Sequence, residues 1–555
     1  MRTYPRILIL TPKNRFEVWN VWLTACFIAW ALTVHATEPA VFLTGTVVDS
    51  ESGKLLSSRV YVRSSDGTWY FPKTAAVNGS AIEYRRRAAT NSVEMHATLS
   101  AHPFTVDLPP GHYVISAEHG KEFFPAEQSV TVERVPVRVE LKLKRWINMN
   151  ERGWFSGDTH SHRPLVEMTN VLFAEDLNIA FPLSHWVTDF GASPPTANKV
   201  SAPAPPGEVL TIDAAHLLYP LNTEYEIVRK DGKSYTLGAF LVIGHKTPLD
   251  SGSPPVAPVV AQAHREGALI DLEKHSWPWS IAMVPLLKAD LFELANNHVW
   301  RTEFGFPQWT LSAAGKYMNL EMDDQGFTEW GWIDFGFQTY YALLNCGFHL
   351  RPTGGTANGV HPVPLGFGRV YVEQPEGFSY DKWLAALNGG HSFVTTGPML
   401  FVQVNGQEPG STLALDAATK TARVTGSVES AAPIERIEII VNGRLAKGVT
   451  PSNKATTSGA FQNMIAETVP LDGTSWVAVR AFEKNGGRRN RFAHSSPIYL
   501  KVPNQPLHPR REEVDYLIQR VQEEIIRNQG ILAPAVLNEY QDALKIYQTI
   551  GRDAR

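Results

Sequence analysis

The stretch "GDTHSHRP" at residues 157–164 decides how the central part of this chain is interpreted. It places His160 and His162 two positions apart at the end of "GWFSGDTHSH", which begins like a β-strand. Side chains two positions apart in a strand share one face, so both imidazoles are expected to point the same way. That spacing suits two ligands on one metal ion, and a polar structural role is the alternative.

Other candidate ligands follow apolar runs elsewhere in the same region. In parallel α/β folds, ligands bind beyond the carboxyl ends of the strands, so polar residues at several strand ends converge on one site. One histidine at a strand end is usually structural, but several such elements favour a shared site. The run ends carry His185 in "NIAFPLSHW", Glu224 and Glu226 in "LNTEYE", Glu273 and His275 in "GALIDLEKHSWPW", and Asn296, Asn297 and His298 in "LFELANNHVW".

The spacing of apolar residues changes along the chain and divides it into regions. Early segments such as "VPVRVELKLK" alternate apolar and charged residues, which predicts half-buried strands. The middle of the chain alternates short apolar runs with helical stretches, which is typical of an α/β barrel or a doubly wound sheet. Strand patterns then return, and two amphipathic helices follow. We predict a β-sandwich at 37–145, an α/β domain at 146–400, a second β-sandwich at 401–505 and a helical hairpin at 506–555. The hairpin packs on the preceding domain or forms a dimer.

Residues 1–36 have the features of a signal peptide. Basic residues precede an apolar run at 21–34 that is shorter than a membrane span, and "VHA" before Thr37 resembles a cleavage site. An uncleaved anchor is the alternative. The predicted mature protein is secreted or periplasmic in a bacterium and has no stable membrane span.

Composition limits the chemistry that is available. The formal net charge is −4, so no basic surplus indicates a nucleic-acid partner. Cleavage after Ala36 would leave Cys346 as the single cysteine, which excludes a thiolate metal site. Any metal must then be held by His, Asp and Glu. Walker and Rossmann glycine patterns and a Gly-x-Ser-x-Gly elbow are absent from the sequence.

Taken together, these motifs resemble the PHP (polymerase and histidinol phosphatase) superfamily of metallohydrolases, in its CehA/McbA branch. "GDTHSH" is similar to the family's G-D-x-H-x-H strand, "LSHW" to its T-D-H strand end, "NTEYE" to its bridging-glutamate strand and "DLEKHSWPW" to its later histidine strand. "LNGGHSFVTTGPMLFVQVNG" at 387–406 resembles the segment that closes the family's barrel. The resemblance covers roughly residues 150–405. The preceding region resembles carboxypeptidase regulatory-like domains.

The resemblance implies a distorted (β/α)7 barrel, flanked here by the two β-sandwiches, that holds divalent Zn, Mn or Fe ions. It implies hydrolysis of a phosphoester, carbamate or amide bond by a metal-activated water. The metal ligands that it implies, with His298 added from its position alone, are His160, His162, His185, Glu224, His275 and His298. His245 in "VIGHK" is a further candidate.

Arg163 and Glu167 are the candidate catalytic residues beside these ligands. Arg163 either binds an anionic oxygen of the substrate or forms a structural salt bridge. Glu167 stands where the family has an acidic ligand after H-x-H.

The sequence also departs from the family's pattern. Family members carry Asp-x-His near the last strands, where this chain has "RPTGGTANG" at 351–359, and "LSHW" lacks the Asp of T-D-H. Thr353, Thr356 and Asn358 offer only neutral oxygens, which bind Zn²⁺ or Mn²⁺ less well than a carboxylate or an imidazole. We therefore predict one or two ions per chain rather than three.

The predicted function is an exported, metal-dependent hydrolase that acts on a small-molecule or cell-envelope substrate. The alternative is a PHP-derived binding protein with a structural metal site, whose β-sandwiches contact polysaccharide or protein. Hydrolysis of carbohydrate by paired carboxylates is a third hypothesis, although no Asp/Glu pair in the sequence stands out for it.

Overall fold

A computed structural model describes residues 40–88, 91–197, 199–200, 204–484 and 489–555. It shows a mixed α/β protein in which β-sheets predominate. The α-helices of the described residues are Leu165–Ala174, Ala257–Glu266, Pro278–Leu287, Glu329–Asn345, Tyr380–Gly389, Arg511–Asn528 and Pro534–Gly551. None of them is long and apolar enough to cross a membrane. The predicted signal peptide and its cleavage site lie outside the described residues.

The first β-rich region contains two packed sheets. Strand Val137–Arg145 shows the predicted alternation, because Val139, Leu141 and Leu143 are buried between exposed charged residues. That half-buried strand is confirmed. The strands of the two sheets are Val41–Asp49, Ser58–Ser64, Trp69–Tyr70, Lys73–Thr74, Ala81–Arg87, Val93–Leu99, Phe104–Leu108, Gly111–Glu118, Phe123–Phe124, Ala126–Val132 and Val137–Arg145.

Most strands of the central region divide between two hydrogen-bonded sheets, and Met322–Asp323 and Gly326–Phe327 form a separate two-stranded sheet. One sheet has the order Lys199–Val200, His185–Asp189, Thr223–Lys230, Lys233–Ile243, Leu269–Leu272, Leu291–Ala295 and Arg351–Gly354. The other contains Trp154–Ser161, Ile179–Pro182, Leu210–Thr211, Leu217–Leu218, Arg369–Glu373 and Ser392–Thr395. A closed (β/α)7 barrel stays a prediction.

The histidine strand, Trp154–Ser161, is central in its sheet. It pairs in parallel with Ile179–Pro182 and antiparallel with Arg369–Glu373. Every residue of the strand is buried. Gly157 gives the room for this, since a Cβ there would lie 2.4 Å from the ring of Trp383 on helix Tyr380–Gly389.

Parallel pairing brings several strand ends to one side of the other central sheet. Leu269–Leu272 lies parallel to Leu291–Ala295, which lies parallel to Arg351–Gly354. The helix before Leu269–Leu272 ends at Gly267, whose φ of 77° matches the predicted helix, glycine and strand sequence. Glu273, which follows Leu269–Leu272, and Glu293, which lies within Leu291–Ala295, both contact His160 near the end of the histidine strand.

The last part of the chain adds β-structure and a helical hairpin. Strand Ile434–Val441 turns at Asn442 and Gly443, both with positive φ, as the Asn-Gly pair predicts. Tyr547 on the second hairpin helix donates a hydrogen bond to the Ile281 carbonyl, so the hairpin packs on its own chain. Dimer formation through it stays a prediction. The strands are Met399–Val404, Thr412–Ala414, Thr421–Ser430, Ile434–Val441, Arg444–Val449, Lys454–Ala455, Phe461–Pro470, Ser475–Glu483, Phe492–Ser495 and Ile498–Lys501.

Candidate metal centre

Three buried donor atoms converge at the end of the histidine strand. His160 Nε2 and His162 Nε2 lie 3.2 Å apart. Glu224 Oε2 lies 3.2 Å from His162 Nε2 and 3.8 Å from His160 Nε2. An ion with bonds of about 2.0–2.2 Å to nitrogen and oxygen ligands needs donor separations of about 3.0–3.6 Å. The two separations of 3.2 Å lie in that range, and the His160–Glu224 separation of 3.8 Å is slightly longer.

The chemistry of this donor set also fits a divalent ion. Within the part of the chain that the structure describes, Glu224 Oε2 is buried and accepts no hydrogen bond. A buried carboxylate oxygen without a hydrogen-bond donor is costly, and a cation bound there would remove that cost. Two imidazoles and one carboxylate are ligands that Zn²⁺, Mn²⁺ and Fe²⁺ accept.

A second carboxylate orients His160. His160 Nδ1 lies 2.9 Å from Glu293 Oε2, and Glu293 Oε1 accepts a hydrogen bond from the backbone amide of Asn297 at 2.9 Å. A proton on Nδ1 that is donated to Glu293 leaves the Nε2 lone pair facing His162 and Glu224. His160, Glu273 and Glu293 form a second possible ligand group, in which His160 Nδ1 lies 3.6 Å from Glu273 Oε2.

The electrostatics of His160 are dominated by these carboxylates. Burial by itself lowers the pKa of His160, but the charges of Glu273, Glu293 and Glu224 outweigh burial and raise that pKa well above its ordinary value. The centre therefore attracts positive charge strongly, whether as a proton or as a metal ion.

Lys274 brings a cation into the same cluster, which the sequence analysis did not anticipate. Its Nζ lies 2.5 Å from Glu273 Oε2, 3.1 Å from Glu224 Oε1 and 3.1 Å from Glu226 Oε1. Burial lowers the pKa of Lys274, but the charges of Glu226, Glu273 and Glu224 raise it well above its ordinary value.

The neutral oxygens of the 351–359 stretch are engaged by other protein groups. Thr353 donates a hydrogen bond to Asp271 at 2.7 Å, and Thr356 donates one to Asp158 at 2.6 Å. The side-chain oxygen of Asn358 accepts from Arg163 Nε at 2.8 Å. These three residues hold the loop in place beside the histidine strand.

Arg163 and Glu167, the candidate catalytic residues, pair with each other. Arg163 donates to Glu167 Oε2 at 2.7 Å, and its guanidinium lies 4.3 Å from the ring centroid of Tyr84. The Tyr84 hydroxyl donates to the His361 carbonyl and accepts from the Gly359 amide. Arg163 thus joins the loop at 351–361 to the first β-sandwich, and its role towards a substrate stays a prediction.

The remaining predicted ligands lie outside the three-atom group. His185 is on the opposite strand face from Trp186, whose ring contacts His162 with a centroid distance of 4.7 Å. His275 packs between Trp332 and Phe335, and burial lowers its pKa to about 3.

His298 and His245 also have other neighbours. The His298 ring lies 4.0 Å from that of Phe306, and burial lowers its pKa well below the ordinary value. His245 lies 3.0 Å from the Thr223 hydroxyl and 2.8 Å from the Thr247 carbonyl, so both of its ring nitrogens are hydrogen-bonded.

Glu293 and the nearby His361 were not named as candidates from the sequence, whereas Glu273 was named as a residue that follows an apolar run. Glu293 was detectable as a lone acid inside the apolar run "LFELA". His361, whose pKa is lowered to about 3 by burial and then by the charges of Lys274, His162 and His160, lies in a loop with no sequence signal.

Comparisons with known proteins add little to this picture. No family model matches the chain, and no curated protein matches it. Among solved structures, a two-domain protein from Bacteroides vulgatus, described as containing a "predicted PHP-like metal-dependent phosphoesterase", is 11% identical. That match covers 62% of this chain and 94% of the other, with a TM-score of 0.28. A likeness at this level carries no argument about the fold or the activity of this chain.

Proposed function

We propose that this protein is a divalent-metal-dependent hydrolase whose ion is held by His160, His162 and Glu224. The observation that carries the proposal is the convergence of their donor atoms at 3.2–3.8 Å, with the carboxylate oxygen accepting no hydrogen bond from the described residues. The resemblance of "GDTHSH" and "NTEYE" to PHP metal-binding strands supports the same assignment. When bound, such an ion acts as a Lewis acid and makes water nucleophilic at neutral pH.

The protein groups around the ion have distinct tasks. Glu293 orients His160 through its Nδ1, and Trp186 packs against the ring of His162. Lys274 offsets the charge of the glutamates. The remaining exposure of the centre lies at His162, which is 8% exposed, whereas His160 and Glu224 are fully buried. A substrate would therefore approach from the His162 side.

The ion pairs of the cations near this approach indicate the charge of the substrate, and hence the class of bond that is cleaved. Arg163 is paired with Glu167, and Lys274 is surrounded by three carboxylates. Within the described residues, neither cation is available to a phosphate dianion without breaking an ion pair. We infer that uncharged carbamates and amides are better substrates than phosphomonoesters.

The test is hydrolysis by protein whose metal content is known. Purified mature protein is stripped with a chelator, shown to be metal-free by mass spectrometry and then reloaded with Mn²⁺ or Zn²⁺. It is assayed against carbamates, amides and phosphoesters. We expect hydrolysis to be lost on stripping and restored on reloading. Undiminished hydrolysis by the metal-free protein would contradict the proposal.

A binding protein with a structural ion is the second candidate function. The complete burial of His160 and Glu224 favours it, because a structural site is closed to substrate. This candidate predicts that Mn²⁺ or Zn²⁺ raises the Tm while no member of the substrate panel is hydrolysed.

Export is a further part of the proposal and is tested separately. It is motivated by the basic, apolar and "VHA" segments before Thr37. N-terminal sequencing of protein from the culture medium or the periplasm should give a start at or near Thr37. Membrane-bound protein that still starts at Met1 would contradict cleavage.

A further inference from the structure

Lys274 follows the buried strand Leu269–Leu272 and directs its ammonium group into the centre. The side chain is 5% exposed, and three carboxylates, from Glu224, Glu226 and Glu273, lie within 3.1 Å of Nζ. Their placement resembles the first coordination sphere of a metal ion, with an ammonium group where the ion would be.

The backbone at Lys274 is held in an unusual conformation. Its φ is 49°, in the left-handed region that residues with a Cβ rarely adopt. The following turn is closed by a hydrogen bond from the Trp277 amide to the Lys274 carbonyl at 2.8 Å. The fold thus tolerates strain at the residue that places the cation among the glutamates.

Glu224 divides its two oxygens between the candidate ion and the lysine. Oε2 lies 3.2 Å from His162 Nε2, and Oε1 lies 3.1 Å from Lys274 Nζ. In a two-metal site, the ions lie about 3.5–4 Å apart, and a bridging carboxylate can give one oxygen to each. Here the ammonium group takes the oxygen that a second ion would bind.

The second His160 group does not supply an independent ion site. Its Glu273 oxygen is the one that lies 2.5 Å from Lys274 Nζ, and His160 Nδ1 is held by Glu293 at 2.9 Å. One imidazole can bind two ions only if both of its nitrogens lose their protons. The lysine and the Glu293 hydrogen bond therefore both oppose a second ion.

We propose that Lys274 is a built-in cation in the place of a second divalent ion and that it keeps the centre mononuclear. This inference rests on the proposed function, because it needs the first ion at His160, His162 and Glu224. Removal of the ammonium group leaves three carboxylate oxygens and no imidazole at the vacated position. Such a set of hard oxygen ligands suits Mn²⁺ better than Zn²⁺.

The experiment counts ions in matched lysine variants. Wild-type protein, Lys274→Met and the control Lys121→Met are dialysed against Mn²⁺, cleared of loose metal and analysed by mass spectrometry. Lys121 is a suitable control because its Nζ donates to the Thr396 carbonyl, away from the centre. We expect one ion in wild-type protein, two in Lys274→Met and one in Lys121→Met. Thermal unfolding of each sample checks that the fold is retained.

The possible results separate this inference from the proposed function. No ion in any folded sample removes the proposed function and the inference with it. Two ions in wild-type protein, or one ion in folded Lys274→Met, overturn the inference and leave the proposed function intact.

A second measurement applies if Lys274→Met does not fold. Anomalous diffraction at the manganese edge from wild-type crystals should show one peak beside His160, with Lys274 Nζ still between Glu224 and Glu273. Two peaks would overturn the inference.

Discussion

Substitution of Glu293 by Gln should weaken metal binding without removing a metal ligand. The carboxylate accepts at both oxygens, from His160 Nδ1 at 2.9 Å and from the Asn297 amide at 2.9 Å. Gln has one accepting oxygen, so one of these two donors would face an NH₂ group. The substitution also removes the negative charge that strengthens the bond to His160.

The size of this effect follows from the hydrogen bond that is changed. A bond to a charged group contributes about 1.5–3 kcal/mol, and a neutral one about 0.5–1.5 kcal/mol. The difference of about 1.5 kcal/mol corresponds to roughly ten-fold weaker binding. Loss of the second acceptor adds to this, so we expect a Kd that is about 10- to 100-fold higher, in line with other residues that orient metal-bound histidines.

Isothermal titration of metal-free protein with Mn²⁺ or Zn²⁺, with a competing chelator for tight binding, measures this Kd. Glu376→Gln is the matched control, because that side chain is 85% exposed and far more hydrated. An unchanged Kd in Glu293→Gln, with an unchanged Tm, would refute the role of Glu293 and the tautomer that it is inferred to hold.

Three further predictions concern the centre and the core. His160→Ala and Glu224→Ala should each lower metal-dependent hydrolysis at least ten-fold while the fold stays intact. His112 is exposed, so His112→Ala should leave the hydrolysis unchanged. Full activity in either ligand variant would place the centre elsewhere. Gly355→Ala should weaken metal binding in the same titration, because the added Cβ would lie 2.5 Å from His160 Cβ and 2.7 Å from Glu293 Oε2. Gly448→Ala is the control, since a Cβ at Gly448 would meet open space. Equal binding by both variants would contradict the expected crowding. Burial lowers the pKa of His494 to about 3, so between about pH 6.5 and 3 the folded state binds fewer protons than the unfolded state. The free energy of unfolding should therefore fall as the pH drops through this range, by up to about 1.4 kcal/mol per pH unit. His494→Gln should reduce the difference in Tm between pH 7 and pH 4.5, and an equal difference in both proteins would show that His494 does not contribute.

The sequence predicted the local elements and one group of interacting side chains. Alternation in "VPVRVELKLK", the Asn442-Gly443 turn and Gly267 at a helix end all appear in the structure, because each depends on neighbouring residues only. The expected meeting of His160 with Glu224 also appears, but Glu224 lies near the start of strand Thr223–Lys230, in the other central sheet, and not at the carboxyl end of a strand.

The residues that the sequence analysis missed depend on long-range geometry. Lys274 stands between Glu273 and His275 in "LEKHSW", and nothing in that string shows that its backbone is left-handed or that Glu224 and Glu226 lie opposite. His275 follows the same strand, and its ring packs against Trp332. How the central strands divide between two sheets is likewise set by pairing over long distances.

The contact between Tyr84 and the loop at 351–361 determines where this chain can be truncated or exchanged with a homologous one. Tyr84 belongs to strand Ala81–Arg87 of the first β-sandwich, yet its hydroxyl bonds to Gly359 and His361, and its ring covers Arg163. Arg86 on the same strand donates to the Gly359 carbonyl as well. A chain trimmed to residues 146–400 would expose these groups to water and release the loop from one side. The first sandwich thus contributes contacts to the centre and is not an independent domain in this respect. An exchange of this sandwich between homologous proteins would have to transfer Tyr84 together with the loop at 351–361 that it contacts.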